Sequence, residues 1–279
     1  MLNPDSSIKI TFTPELDEAL DKLMGNELMP HTCQIFEMDT SSKMKPFGSG
    51  IMAFLGGHHY ILTAAHVAEH LTQTKPLFIK SRDGFTAISG KVLVTNLGVD
   101  KTIDLAYIKL HPHILPALEG GYRFLPISKF RGHSELFYAT QYCVFGYPED
   151  STKEIDGELQ SQAEGFFVEP AKEKVYEYYK FDPKTCFILD FKGKGVDVRT
   201  GEDKKIKIQP YGLSGCGLWL LLPTHQNEKW TVDYKLIGIM TEFKKGKYYC
   251  LIGNKISLVL DALMKVEELK LSTKPVVKE

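Results

Sequence analysis

The sequence predicts an all-β protein made of two six-stranded antiparallel β-barrels, with short helices at its N- and C-terminal ends. Three observations carry this expectation. Short apolar stretches recur along most of the chain, each bounded by Gly, Pro, Asp or Asn, which is how half-buried strands and their turns read. These stretches form two successive groups, separated by the proline-containing segment HPHILPALEGGYRFLPIS. Finally, 279 residues suffice for two folding units or one large all-β unit, and too little helical periodicity lies between the groups to build a βαβ sheet.

The elements follow in chain order. Thr13-Pro14-Glu15 supplies a cap and a first-turn proline, and Leu16, Ala19, Leu20, Leu23 and Met24 then recur at helical spacing as far as Gly25. The face made by Leu16, Leu20 and Leu23 is expected to pack on the barrels or on a regulatory partner. From about residue 31 the period shortens to that of strands: HTCQIFEM, GSGIMAFL, HHYILTAA, KPLFIK, KVLVTN and DLAYIKL. The second group reads FYATQYCVFGYP, ELQSQAEGFFVEP, VYEYYKF, TCFILDFKG, GLWLLLP and KLIGIMTEF, in which strand alternation gives Tyr176, Tyr178 and Tyr179 mixed core and surface packing and no ligand. Residues 191–205, rich in charge and glycine, are expected to form an exposed loop or hairpin tip. Leu258, Leu260, Leu263, Met264, Val266 and Leu269 share one face of a terminal helix that Ser257 is placed to cap, and the polar tail LSTKPVVKE ends the chain. The expected division is an N-terminal helical extension over 1–30, a first barrel over 31–120, a second over 121–256, and a helix and tail over 257–279.

Composition narrows the function classes. Apolar residues at 43% and charged residues at 25% are those of an ordinary globular protein, which excludes disorder as the main state. A net charge of −1 provides no global field toward nucleic acid or an anionic membrane, so neither is expected as a partner. The longest uninterrupted apolar run, Leu218 to Leu222, is far too short to span a bilayer. The start MLNPDSSIKITFTPELDEAL lacks the basic, apolar and small-residue pattern of a secretion signal. Cys33, Cys143, Cys186, Cys216 and Cys250 are odd in number, scattered and without a CxxC spacing, which suggests neither a disulfide framework nor a zinc site. The expected compartment is the reducing cytoplasm. His58-His59 would point to opposite faces of a strand, and His111 with His113 has no acidic or cysteine partner nearby, so both pairs read as surface histidines and no metal or cofactor is expected.

Chemistry concentrates at three places. Ser214 lies in Tyr211-Gly212-Leu213-Ser214-Gly215-Cys216-Gly217-Leu218-Trp219, where glycines give the backbone the freedom to turn N–H groups together toward a developing oxyanion. His66 closes Tyr60-Ile61-Leu62-Thr63-Ala64-Ala65-His66-Val67, whose small residues let an imidazole approach a neighbouring strand. Asp104 stands at the mouth of the apolar strand Leu105-Ala106-Tyr107-Ile108-Lys109-Leu110. Taken singly, each has a bland reading: an inert Gly-Ser turn, a satisfied core histidine, a turn-capping aspartate.

Taken in order, YILTAAHV, DLAYIKL, GLSGCGLW and LIGIMTEF resemble the trypsin-like (chymotrypsin-fold) serine peptidase family, which carries a TAAH motif on its histidine, a D-[IL]-A-[LV] motif on its aspartate and a G-x-S-G motif on its serine. The resemblance covers roughly residues 31–270. It implies two six-stranded barrels with the reacting groups in the cleft between them. It also implies roles: His66 as general base and then acid, Asp104 orienting the imidazole, Ser214 as nucleophile, and the N–H groups of Gly212 and Ser214 as the oxyanion hole. Departures qualify the match. Extracellular members carry a cysteine where this chain has Val67 and an aspartate where it has Leu213; without that aspartate, activation by a freshly cut N-terminus has no ion-pair partner. The position six before the serine, the floor of the specificity pocket in digestive members, is Ile208, which argues against a demand for Lys or Arg. The wall corresponds to Thr241, Glu242 and Phe243; Phe243 narrows the pocket, and Glu242 adds negative charge at its mouth. Cys216 reads as a small packing residue rather than a nucleophile.

The expected function is therefore a regulated intracellular serine endopeptidase acting on protein or peptide substrate without a cofactor, held in check by narrow specificity or a regulatory protein partner. The alternatives are a catalytically silent or partner-activated peptidase-fold scaffold, or an esterase using the same three residues.

Overall fold

The alternation of buried and exposed side chains builds two curled antiparallel sheets. The computed structural model describes residues 13–71, 75–94, 102–133, 141–191 and 209–268, with the backbone alone of 194–196 and 203–205. The first sheet contains β1 (Thr32–Met38), β2 (Met44–Leu55), β3 (His58–Thr63), β4 (Leu77–Ser81), β5 (Gly84–Ala87), β6 (Gly90–Val94), β7 (Ala106–Leu110) and the short β8 (Leu125–Pro126). Its hydrogen-bonded order is β5-β4-β1-β2-β3-β7-β6, with β8 added in parallel to β2. This sheet thus has eight strands rather than six. The extra ones are the short β5, a hairpin return from β4 hidden in polar sequence, and β8, whose two residues include a proline.

The second group supplies β9 (Gln141–Gly146), β10 (Thr152–Ile155), β11 (Glu158–Ser161), β12 (Glu164–Pro170), β13 (Cys186–Asp190), β14 (Lys194–Val196), β15 (Asp203–Lys205), β16 (Gly217–Gln226), β17 (Lys229–Lys245) and β18 (Tyr249–Lys255). Six of them close a barrel in the order β12-β13-β18-β17-β16-β9. The pairs β10-β11 and β14-β15 are separate hairpins, the second within the charged stretch read as a loop or hairpin tip. ELQSQAEGFFVEP, read as one strand, is divided between β11 and β12.

The first five residues of VYEYYKF, expected as a strand, are instead part of a helix, Glu173–Tyr179. Its aromatic residues favour strands only where a pleated surface awaits them, and here the packing is different. Val175 is the helix's buried residue, and the tyrosines anchor it through their hydroxyls: Tyr176 Oη accepts from Ile188 N–H (2.8 Å) and Tyr179 Oη donates to the Tyr248 carbonyl (2.8 Å). The helix stops at Lys180, which adopts φ +58°.

The terminal helices differ from expectation at their ends. The first, Pro14–Leu23, is capped by Thr13, whose Oγ1 accepts from Leu16 N–H (3.3 Å). It does not end at Gly25: the path continues through a π-turn (Met24–Leu28) and a short helix (Met29–His31). Leu28 is fully buried there and its carbonyl accepts from Thr32 Oγ1 (2.9 Å), so packing carries the helical path past the glycine. The last helix, Ile256–Val266, begins two residues earlier than expected, with Lys255 rather than Ser257 at the cap position and no side-chain cap, so Ser257 sits inside the first turn. Leu269 and Ile208 lie outside the described residues.

Leu16, Leu20 and Leu23 pack in one apolar cluster with Trp219, Tyr234 and Leu236 of the second sheet and Tyr60, Leu62 and Tyr107 of the first. The N-terminal helix is thereby part of the core that joins the sheets. Leu20→Ala is expected to destabilise the fold by about 3 kcal/mol, the usual cost of emptying a buried leucine site, measured as a lowered urea midpoint. An unchanged midpoint would show that this helix is dispensable to the core.

Candidate active site

His66 reaches the space between the sheets because β3 ends in small residues. Ala64 and Ala65 are fully buried, and the backbone turns there into a short helix, Ala65–Ala68. Val67 packs against Gly48, whose missing side chain leaves room for its methyl groups. The imidazole meets Asp104, which precedes β7. His66 Nδ1–H donates to Asp104 Oδ2 at 2.6 Å, and the His66 backbone N–H donates to Oδ1 at 2.9 Å. A carboxylate can only accept, so Nδ1 carries the proton and Nε2 is left with its lone pair. Chiefly through this hydrogen bond, and further through the charges of Asp104, Glu69 and Glu242, the imidazole pKa rises above its ordinary 6.5 against the opposing effect of burial.

The aspartate is held from the other barrel. Its backbone N–H donates to Asn254 Oδ1 (2.9 Å), and Asn254 Nδ2 donates to the carbonyls of Thr102 (2.9 Å) and Thr185 (3.4 Å). Asn254 is fully buried on β18. Sequence reading missed it; the available signal was one amide in the apolar strand CLIGNK, which needs buried partners.

The Ser214 loop is fixed by its carbonyls. Tyr211 O accepts from Glu149 N–H (2.8 Å), and Leu213 O accepts from Cys216 N–H (2.9 Å). In a trans peptide the N–H points opposite the C=O, so the N–H groups of Gly212 and Ser214 are turned away from these partners, and neither donates to a protein group among the described residues. Gly212 holds φ +86°, and a side chain there would meet Tyr147 O and Glu149 N at 2.8 Å. Ser49, also missed at the sequence level, clamps the loop from β2: its Oγ donates to Gly212 O (2.8 Å) and its N–H to Ser214 O (2.8 Å). Ser214 Oγ itself donates to Thr241 O at a long 3.4 Å rather than to His66.

His66, Asp104, Gly212, Ser214, Thr241, Glu242 and Phe243 all line one cleft of about 500 Å³. Its wall is set by a bulge in β17 between Met240 and Glu242, after which Phe243 sits among Phe191, Tyr211 and Tyr249 at centroid distances of 5.8, 6.4 and 4.9 Å. Glu242, exposed at the mouth, is ion-paired with Lys244. Leu213 and Cys216 point into the core, and burial pushes the Cys216 thiol well above its ordinary value, as suits packing. Elsewhere, His59 packs its ring against Phe54 and Phe124, and His111 stacks on His113.

No family model matches the sequence, and no curated protein matches it significantly. Among solved structures, neuropsin, a serine protease expressed in the limbic system of mouse brain, aligns over 86% of this chain and 95% of its own, with a TM-score of 0.51 at 12% identity. At that identity the likeness is one of fold: a chymotrypsin-like architecture of two curled β-sheets with short terminal helices.

Proposed function

We propose that this protein is a serine endopeptidase that hydrolyses peptide bonds through an acyl-enzyme. The observation that carries the reading is the two-point attachment of His66 to Asp104 in the same cleft as Ser214, whose N–H, like that of Gly212, donates to no protein group among the described residues. In the first step Ser214 Oγ leaves the Thr241 carbonyl, passes its proton to His66 Nε2 and bonds to the substrate carbonyl carbon. The N–H groups of Gly212 and Ser214 take up the negative charge, each such donor contributing about 3 kcal/mol in enzymes of this chemistry. The imidazolium, stabilised by Asp104, gives its proton to the departing amine as the C–N bond breaks. Water then repeats the sequence on the ester, restoring Ser214. These steps draw only on side chains and backbone of this chain.

The mostly apolar wall of Met240, Phe243 and Leu251 favours an uncharged or aromatic side chain beside the scissile bond. Five buried cysteines in the thiol form fit a cytoplasmic location. The bond from Ser214 to Thr241 rather than His66 favours a second reading, a scaffold or an enzyme that a regulatory partner switches on.

A fluorophosphonate probe separates the two. The expected result is labelling of the wild type that disappears in Ser214→Ala. Absence of labelling in the wild type would favour the scaffold or partner-activated reading. Turnover of an ester with no turnover of the matching amide would place the protein among esterases.

A further inference from the structure

The wall of the cleft continues into a cationic surface. β17 pairs with β18 from Glu242 to Lys245, whereas its pairing with β16 stops at Ile239. Among the described residues, the other edge of Thr241–Lys245 therefore carries no strand, and an extended polypeptide can add to it. The hairpin that ends this edge is Lys244-Lys245-Gly246-Lys247-Tyr248-Tyr249. Lys245 Nζ lies over the rings of Tyr211 (4.7 Å) and Phe243 (5.7 Å), both of which line the cleft. Lys247 lies over Tyr178 (5.3 Å) and Tyr248 (5.5 Å), and Lys174 over Tyr248 (5.7 Å). Ring faces hold an ammonium group in place without cancelling its charge. Lys244 is paired with Glu242, but Lys174, Lys245 and Lys247 are exposed and have no carboxylate partner among the described residues.

The geometry also sets the direction of the ligand. The leaving amine must lie beside His66, so the acyl half of a substrate runs the opposite way, along β17. Thr241 O is 3.4 Å from Ser214 Oγ, and a strand rise of about 3.3 Å per residue puts Lys245 roughly 13 Å farther on. Glu242 and Lys244 offset each other close to the bond, and the carboxylate-free lysines attract acidic groups beyond it. We propose that the rim formed by Lys174, Lys245 and Lys247 selects polypeptides carrying Asp or Glu about three to five residues before the bond to be cut. This rests on the peptidase reading above.

The test uses binding, so it does not depend on turnover. A fluorescein-labelled decapeptide rich in Glu and its Gln counterpart are titrated into the full chain carrying Ser214→Ala, alongside the same chain with Lys245→Glu and Lys247→Glu added. A second variant adds Lys174→Glu alone, on a different element. Expected is binding of the Glu peptide about tenfold tighter than the Gln peptide at low salt. That advantage shrinks as salt rises, is lost on double reversal and is reduced by Lys174→Glu, with melting temperatures unchanged. Equal binding of the two peptides, or an advantage that survives charge reversal, overturns the proposal. So does tighter binding of an oligothymidylate of equal length, which would assign the rim to single-stranded nucleic acid. Failure of the peptidase reading is seen separately, as absent fluorophosphonate labelling of the wild type.

Discussion

Asp104→Asn is expected to lower kcat/KM by about 10⁴-fold while leaving the fold intact. The carboxylate receives two bonds from His66, one from the backbone N–H to Oδ1 and one from the ring to Oδ2. An asparagine can still accept the backbone N–H, but it turns an NH₂ group toward Nδ1. The imidazole must then hold its proton on Nε2, where it cannot take one from Ser214. The pH profile changes as well. His66 titrates above 6.5 because the hydrogen bond and charge of Asp104 favour the imidazolium, and acylation needs the neutral ring, so the acid limb of wild-type kcat/KM should lie above 6.5. Removing the charge moves that limb to lower pH. Stability follows the same linkage: a histidine whose folded pKa is raised adds stability that is complete below 6.5 and is lost as pH climbs through the raised value. The gap in melting temperature between wild type and Asp104→Asn should therefore narrow toward alkaline pH. A loss of activity under tenfold, or an unmoved acid limb, would mean that the pair does not act as base and orienter.

What was legible in the sequence, and what was not, divides by the range of the interactions involved. Apolar runs such as YILTAA and GLWLLLP announce strands because a strand buried on both faces reads as a short uninterrupted apolar run bounded by turn residues. His66, Asp104 and Ser214 could be singled out because each sits in a local motif, and the structure brings all three to one cleft. The helix Glu173–Tyr179 was misread because valine and tyrosine suit a pleated sheet, and only its anchors at Ile188 and Tyr248 decide otherwise. Asn254 and Ser49 were invisible for a related reason. Their partners are backbone groups 150 residues away at Asp104 and 163 away at Gly212, and a backbone group has no sequence signature. The parts that hold the cleft together thus escape a reading that finds the three motif residues lining it.

That division points to the second large effect, at a glycine whose side chain is missing for a structural reason. Gly215 adopts φ +91°, and a Cβ there would overlap the Ser49 carbonyl oxygen and Thr63 Oγ1. Neither neighbour can withdraw freely, because Thr63 Oγ1 donates to Ser49 O (2.7 Å) and Ser49 N–H holds Ser214 O (2.8 Å). Gly215 N–H is itself tied to Met240 O at 2.7 Å, at the bulge that shapes the cleft wall. An alanine must therefore push the Ser214 loop away from β2 and turn the two N–H groups out of register. Gly215→Ala is expected to cost about 2–4 kcal/mol of stability, from backbone strain plus overpacking, and to slow fluorophosphonate labelling more than about 100-fold. Ser49→Ala serves as the graded control. It removes the bond to Gly212 O but keeps the backbone bond to Ser214 O, so labelling should slow only about tenfold with little change in the urea midpoint. If Gly215→Ala labels at the wild-type rate, the loop does not need this packing to present its serine. If it is destabilised yet labels normally, the strain is real but lies outside the reacting geometry, and the clamp by Ser49 would have to be reassigned to stability alone.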